Sequence, residues 1–296
     1  MRYQQLEPHV RRVQQNTSDS EVSAQQIDRA ERFRALHFTG KPLLLPNVWD
    51  GMSAAACVAA GFEAIATTSC GIAWSLGYQD GERMSRAEML AAIKRIVLVA
   101  RDVPVTADIE TGYAHNDAEL AETIAAVIDA GAIGINLEDS LPGRHECLRS
   151  VEEAAHRIAV VRGACKDVPL FINARVDVYF TTNNDEAARG QAVLSRCKAY
   201  LAAGADCVFP IGLMDTHKLG ILISELNAPV NAMQAQGQMT YEDLCAARVA
   251  RVSTAATFAL TSFDYLSRTA RELLEPARFT AMRTEAVYPQ MQKLFV

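Results

Sequence analysis

The sequence predicts an α/β protein built as a (β/α)8 TIM barrel with an N-terminal extension and C-terminal helices, and three observations carry that prediction. Eight apolar runs of strand length alternate with stretches of helical periodicity. The helices that precede a strand end alike, in AAG at Ala59–Gly61, DAG at Asp129–Gly131 and AAG at Ala202–Gly204, where glycine supplies a left-handed cap. The glycines at 61, 131 and 204 lie 70 and 73 residues apart, twice a β/α unit of about 35. Finally, apolar runs stop on carboxylates: Asp108 and Glu110 in VPVTADIETGY, Glu138 and Asp139 in GINLEDS. A doubly wound open sheet is the alternative, disfavoured by eight near-equal units and no dinucleotide-binding glycine fingerprint.

Residues 1 to about 24 are polar, rich in Gln, Asn and Ser, and read as poorly ordered or as a helical extension. Strands are expected at Leu43–Val48, Glu63–Thr68, Pro104–Ile109, Ile133–Leu137, Pro169–Ala174, Asp206–Pro210, Pro229–Met233 and Arg251–Ala255. Between them, Met89, Ile93, Ile96, Val97 and Ala100 share one helical face, as do Leu120, Ile124, Val127 and Ile128. Ser85-x-x-Glu88, Ser150-x-x-Glu153 and Thr240-x-x-Asp243 are capping-box patterns that open helices. The tail 261–296 reads as one or two helices, and the whole of 1–296 as a single barrel domain.

Composition narrows the function. A net charge of −6, a pI near 5.6 and no Lys/Arg cluster argue against nucleic-acid or anionic-membrane partners. No apolar stretch is long enough to span a bilayer, and the N-terminus lacks a secretory apolar core, so a cytoplasmic protein is expected. Seven scattered cysteines without a C-x-x-C pair fit buried thiols in a reducing compartment; Cys70 and Cys147 stand apart because they fall in expected active-site loops.

The carboxylates suggest chemistry. If Pro104–Ile109 continues as a strand through Glu110, Asp108 and Glu110 share one face. Glu138 and Asp139 end the next strand, NARVD supplies Arg175 and Asp177 to the one after it, and Asn231 lies on the seventh. Charged groups ending consecutive strands on one rim converge at the barrel mouth. Carboxylates crowded there call for a cation, and hard oxygen ligands suit Mg²⁺ or Mn²⁺.

The motifs LPNVWD, TTSCGIAWSLGYQDG, TADIETGY, GINLEDS, INARVDV and VNAMQAQG follow one another in the order of the isocitrate lyase/phosphoenolpyruvate mutase superfamily. Over roughly residues 40–260 the chain resembles its phosphoenolpyruvate-mutase-like members. The resemblance implies Asp108 as a direct Mg²⁺ ligand, with Glu110 and Glu138 binding the ion directly or through its waters. It implies an acidic role near metal and substrate for Asp80, and substrate-holding backbone N–H groups at Ser69, Cys70 and Gly71. Arg175 matches a substrate-binding arginine and Asn231 a contact to the substrate's distal group. Trp49 matches an aromatic beside the substrate. Subunits that exchange a C-terminal helix, in a dimer or tetramer, are also implied.

The expected substrate is a small 2-oxo or 2-hydroxy dicarboxylic acid whose carbon–carbon bond breaks to leave an enolate, held by N–H donors, the metal and Arg175. Arg175→Ala should then lower turnover drastically while leaving the fold intact. The sequence departs from the lyases of the superfamily in two places. SLPGRHECLRSVEEA lacks their K-[KR]-C-G-H motif, leaving His145 and Cys147 as candidate acid or base on a short lid. Ile211 stands where those lyases have a glutamate, predicting a more apolar or smaller distal pocket. Oxaloacetate decarboxylation or hydrolysis and substituted-malate cleavage fit these departures. C–P bond mutase or hydrolase chemistry is the alternative, with only Arg144 and Arg149 near the lid to meet a phosphonyl group. A non-catalytic 2-oxo-acid-binding barrel is a second alternative. His115, after Tyr113, is a lone loop histidine expected to face solvent.

Overall fold

The computed structural model describes residues 24–165, 168–182, 185–234, 239–274, 282 and 284–295; the extension expected at 1–24 lies outside them but for its last residue. Helix α1 (Ala24–Leu36) precedes β1 (Leu43–Leu45) and β2 (Asn47–Val48), one stave interrupted at Pro46, which has no N–H for a ladder. Then follow α2 (Gly51–Ala59), β3 (Ile65–Thr67), α3 (Ser69–Ser75), α4 (Arg86–Ala100), β4 (Val105–Asp108), α5 (Asp117–Asp129) and β5 (Gly134–Glu138). A hairpin of β6 (Ser140–Leu141) and β7 (Arg144–Leu148) leads to α6 (Val151–Ala164), β8 (Phe171–Arg175) and a 3₁₀ turn at Val178–Phe180. The chain closes with α7 (Glu186–Ala202), β9 (Cys207–Phe209), α8 (Thr216–Leu226), β10 (Asn231–Met233), α9 (Tyr241–Ala246), β11 (Arg251–Ser253), α10 (Thr257–Leu274) and α11 (Tyr288–Leu294).

Parallel ladders run β2-β3-β4-β5-β8-β9 and β1-β11-β10. A parallel bridge between Val208 and Val230 joins β9 to the residue before β10, and β1 continues into β2, so eight staves close into a barrel. All eight predicted strands are present, most of them shorter than expected, while β5 and β8 each end one residue later, at Glu138 and Arg175. The caps follow the sequence too. Gly61, Gly131 and Gly204 adopt φ of 91°, 91° and 108°, Ser85 and Thr240 form full capping boxes, and the Ser150 hydroxyl accepts from the Glu153 N–H.

Packing explains why the site opens at one end only. The apolar faces of α4 and α5, with Met89, Ile93, Ile96, Leu120, Ile124 and Val127 fully buried, cover the outside of the staves. Helix α1 plugs the N-terminal mouth. Phe33 packs edge-on to Phe171 at 5.3 Å, the His37 ring stacks on Phe171 at 4.1 Å, and Gln26 Nε2 donates to the carbonyls of Ile128 and Ala132. That helix is absent from the sequence expectation because AQQIDRAERFRAL is mostly polar and buries only Gln26, Ala30 and Phe33. The β6–β7 hairpin, read from sequence as a short lid loop, leans over the opposite mouth. A side chain at Gly81 would meet the backbone of Gly143 at 2.6 Å, and both glycines have left-handed φ, so the lid seats on the loop after α3 only because neither carries a Cβ.

Candidate active site

At the C-terminal mouth lies a cavity of about 360 Å³, within the size range of small-molecule sites. Its wall includes Ser69, Cys70, Asp80, Asp108, Asn136, His145 and Arg175, and its far side Phe180, Phe209, Ile211 and Met233.

Asp108 ends β4. Its Oδ2 accepts from the backbone N–H and the hydroxyl of Ser69 at 3.3 and 3.0 Å, tying β4 to the start of α3. Burial pushes Asp108 up to about 6; Arg175 opposes the rise and Glu138 adds to it. The expected strand alternation through Glu110 does not hold. β4 stops at Asp108, and Glu110 sits at a left-handed φ of 51°, so a turn and not a pleat directs its side chain. Glu110 Oε2 accepts from the Glu82 N–H at 2.6 Å and Oε1 from the Tyr113 hydroxyl at 2.6 Å. Glu82 in turn accepts through Oε1 from the Thr111 N–H, the Thr111 hydroxyl and the Tyr113 N–H. Glu82 and Tyr113 also have positive φ, so strained backbone accumulates where these two rim loops clasp. Burial raises Glu110 to about 8, and Asp80, Asp108 and Glu138 push the same way against the Tyr113 hydroxyl.

Glu138 ends β5 almost wholly buried. Its Oε2 lies 2.5 Å from Arg175 Nη1, its Oε1 accepts from the Ser140 hydroxyl at 2.7 Å, and His145 Nδ1 is 3.4 Å away. Against the pull of burial, Arg175 and these neighbours hold Glu138 below the usual carboxylate range. On its other side Arg175 makes a two-pronged contact with Asp177, Nε to Oδ1 at 2.7 Å and Nη2 to Oδ2 at 2.8 Å, so the guanidinium is clamped between two carboxylates. His145, carried in by β7, approaches Asp177, Asp80 and Glu138 at 3.7, 3.8 and 3.4 Å; those three carboxylates push it up to about 12, and it stays an imidazolium at neutral pH.

Other predicted residues sit less centrally. Asp139 faces away as a fastener, accepting from the Asp177 N–H, Arg196 and the Tyr200 hydroxyl. Ser69, Cys70 and Gly71 form the first turn of α3, whose N-cap Thr68 makes no side-chain cap, and Ser69 and Cys70 face the cavity. Burial raises the Cys70 thiol to about 11. Trp49 packs over Gly71, where a Cβ would lie 3.0 Å from the tryptophan Cβ. Asn231 is fully buried against Ser253 and does not line the cavity. Cys147 is half-buried on β7 beside Arg144 and Glu146, outside the cavity wall; His115 is exposed. Arg144 pairs with Glu146 and Arg149 with Glu153.

The predicted metal trio Asp108, Glu110 and Glu138 is not drawn into one tight cluster. Among the described residues the tight one is Glu138, His145 and Asp177, with ligand-capable atoms within 4.8 Å of one another, and Arg175 already neutralises two of the three. A cation fits better beside Asp80 and Asp108. Asp80 Oδ1 is buried without a hydrogen-bond partner, and Asp108 is held ionised against burial by little besides Arg175 and Ser69. Those donors are hard oxygens, as Mg²⁺ and Mn²⁺ prefer.

A parallel barrel whose C-terminal mouth holds carboxylates around a buried arginine is a common enzyme architecture. Comparison with known proteins places it more closely. The family described as phosphoenolpyruvate phosphomutase matches residues 33–274, and the chain belongs to that family, within the isocitrate lyase/phosphoenolpyruvate mutase superfamily. A provisionally assigned phosphonomutase from Burkholderia cenocepacia J2315 is 41% identical, with a TM-score of 0.79 over 83% of this chain and 99% of that one. An uncharacterised protein of Mycobacterium tuberculosis is 37% identical over 75% of this chain and 81% of its own. The 2-methylisocitrate lyase of Escherichia coli is 26% identical over 83% of each.

Proposed function

We propose that the protein is a divalent-metal-dependent carbon–carbon lyase acting on a compact 2-oxo or 2-hydroxy dicarboxylic acid. The observation that carries this reading is the charge layout of the cavity. Among the described residues lining it, the cations are Arg175 and His145, both engaged by carboxylates, while the far side is Phe180, Phe209, Ile211 and Met233. A phosphonyl dianion would need further positive groups, whereas Arg144 pairs with Glu146, Arg149 pairs with Glu153, and neither arginine lines the cavity.

Asp108 would hold Mg²⁺ or Mn²⁺ directly, with Asp80, Glu110 and Glu138 acting on it or on its waters. When bound, the ion supplies positive charge against the substrate's carboxylate and keto oxygens. The chain's own groups do the rest. Arg175 binds and orients the 2-oxo acid, held at one angle by Glu138 and Asp177. The first-turn N–H groups of α3 meet its oxygens, and the lid excludes water. A 2-oxo acid would lose carbon dioxide, the electron pair of the broken carbon–carbon bond becoming the enolate. A 2-hydroxy acid would first give its hydroxyl proton to a rim carboxylate such as Asp80, the electron pair passing to the departing fragment as the carbonyl forms. In both, His145 would donate the proton to the carbon left behind. The same reading makes residues 1–296 one barrel unit in the cytoplasm. It further has C-terminal helices pairing subunits, since α10 buries no residue of its own.

A screen of oxaloacetate, 2-methyl- and dimethylmalates and phosphonopyruvate, with Mg²⁺ and then with EDTA, tests the proposal through product analysis by NMR. Metal-dependent carbon–carbon cleavage of one of the dicarboxylic acids is the expected outcome. C–P cleavage alone would instead support the second reading, which the 41% identity to the provisionally assigned phosphonomutase favours. No turnover on the whole panel would leave a binding barrel.

A further inference from the structure

Beneath the cavity floor lies a buried cation that the reading above does not use. Arg251, at the start of β11, is 0% exposed and forms no part of the cavity wall. Its Nη2 donates to Asn136 Oδ1 at 3.1 Å, while Nε and Nη1 find no acceptor among the described residues. Burial lowers it only to about 10, so it remains charged. Asn136 lies in the middle of β5, in register with Asp108 of β4 and Asn173 of β8, and it lines the cavity. Its Oδ1 accepts a second hydrogen bond, from Asn173 Nδ2 at 2.8 Å.

This arrangement removes the usual ambiguity of an amide. A guanidinium has five N–H donors and no acceptor, so the atom of Asn136 that faces Arg251 has to be the oxygen. The flipped amide would set an NH₂ against two donors and leave buried groups unpaired. With both lone pairs of Oδ1 taken, the Nδ2 hydrogens are left for the cavity that Asn136 lines.

We propose that Asn136 is a substrate-binding donor of this cavity and that Arg251 is the positioning residue that fixes its direction. The ligand it serves is a carboxylate or keto oxygen of the 2-oxo acid, so the inference rests on the function proposed above. Asn136 stands on the stave between those of Asp108 and Arg175, which places its donor between the metal-holding and the substrate-clamping sides of the floor.

Calorimetric titration of oxalate, a two-carboxylate probe, into the Mg²⁺-supplemented full chain tests this. Asn136→Ala should weaken oxalate by about 10- to 100-fold, the value of a hydrogen bond to a charged group, and Asn136→Asp by more through repulsion. Titration of Mg²⁺ alone should be unchanged in Asn136→Ala. Arg251→Lys, which can only donate, should stay within about threefold of wild type, while Arg251→Gln, whose Oε1 can accept from the NH₂ of a flipped Asn136 amide, should lose about tenfold at a matched melting temperature. Wild-type affinity in both Asn136 variants overturns the inference while leaving the proposed function standing, as does an equal loss in the Mg²⁺ titration of Asn136→Ala. Equal losses in Arg251→Lys and Arg251→Gln overturn the positioning role. If either Arg251 variant fails to fold, the Asn136 pair decides. Wild-type protein that binds no oxalate overturns both this and the function it rests on.

Discussion

Arg175 shows how far one residue's role depends on what holds it. The sequence marks it as a substrate-binding arginine that could be removed without harm to the fold; the structure corrects the second half. With Arg175 gone, Glu138 and Asp177 would be left buried near Asp108 with only the more distant His145 imidazolium between them. Arg175→Ala should therefore cost on the order of 10²–10³ in turnover and, in addition, about 3–5 kcal/mol of stability. Turnover on the substrate found by the screen and a urea midpoint check both; near-native turnover would remove Arg175 from the mechanism. Asp108, Glu138 and Arg175 were legible as strand-end charges because barrel topology sends such ends to one mouth. Glu82, Asn136, Asn173 and Arg251 were not. Their roles come from which atoms meet across loops and staves, and a polar residue inside an apolar run carries no sign of whether it faces the cavity or its neighbours. An arginine opening the last strand was the available signal, since a buried guanidinium has to be answered by something.

Elements carried the strongest sequence signal where one face is apolar. α4 and α5, the caps Ser85, Ser150 and Thr240 and the glycines behind α2, α5 and α7 all sit where period and chemistry placed them. The misses are elements with little apolar area. The β6–β7 hairpin is short and carries Arg144, His145 and Glu146 at its centre, and α1 buries one side of a polar helix against the barrel floor. That floor contact gives a testable pH dependence. His37, stacked on Phe171 with Nδ1 2.8 Å from the Phe33 carbonyl, is pushed down to about 3 by burial, with Arg251 adding to the effect. The unfolded chain takes up its proton near 6.5 and the folded one does not, so stability from this group is complete above that value and declines as pH falls toward 3. Between pH 7.5 and 5 the decline should be about 2 kcal/mol. Chemical denaturation of wild type and His37→Leu at both pH values should show the wild type losing more by that amount, and parallel losses would count against a neutral buried His37.

At the scale of the molecule, a plugged base and an open, acidic rim make one working end. The C-terminal helix α10 leaves Phe263, Leu266 and Leu274 at 70, 65 and 78% exposure, an apolar face of the kind that marks interaction sites. No helix among the described residues is long and apolar enough to cross a membrane. The barrel was legible because its period is written eight times. The reaction was not, because it turns on lid and floor contacts that no repeat encodes. The central claim is that metal and 2-oxo acid share one site, and the most direct measurement is the melting temperature of the full chain with Mg²⁺ alone, oxalate alone, and both. The account predicts little shift from oxalate alone and a shift with both that exceeds the sum of the separate ones, because each ligand completes the other's site. Shifts that merely add, or oxalate binding indifferent to Mg²⁺, would contradict it.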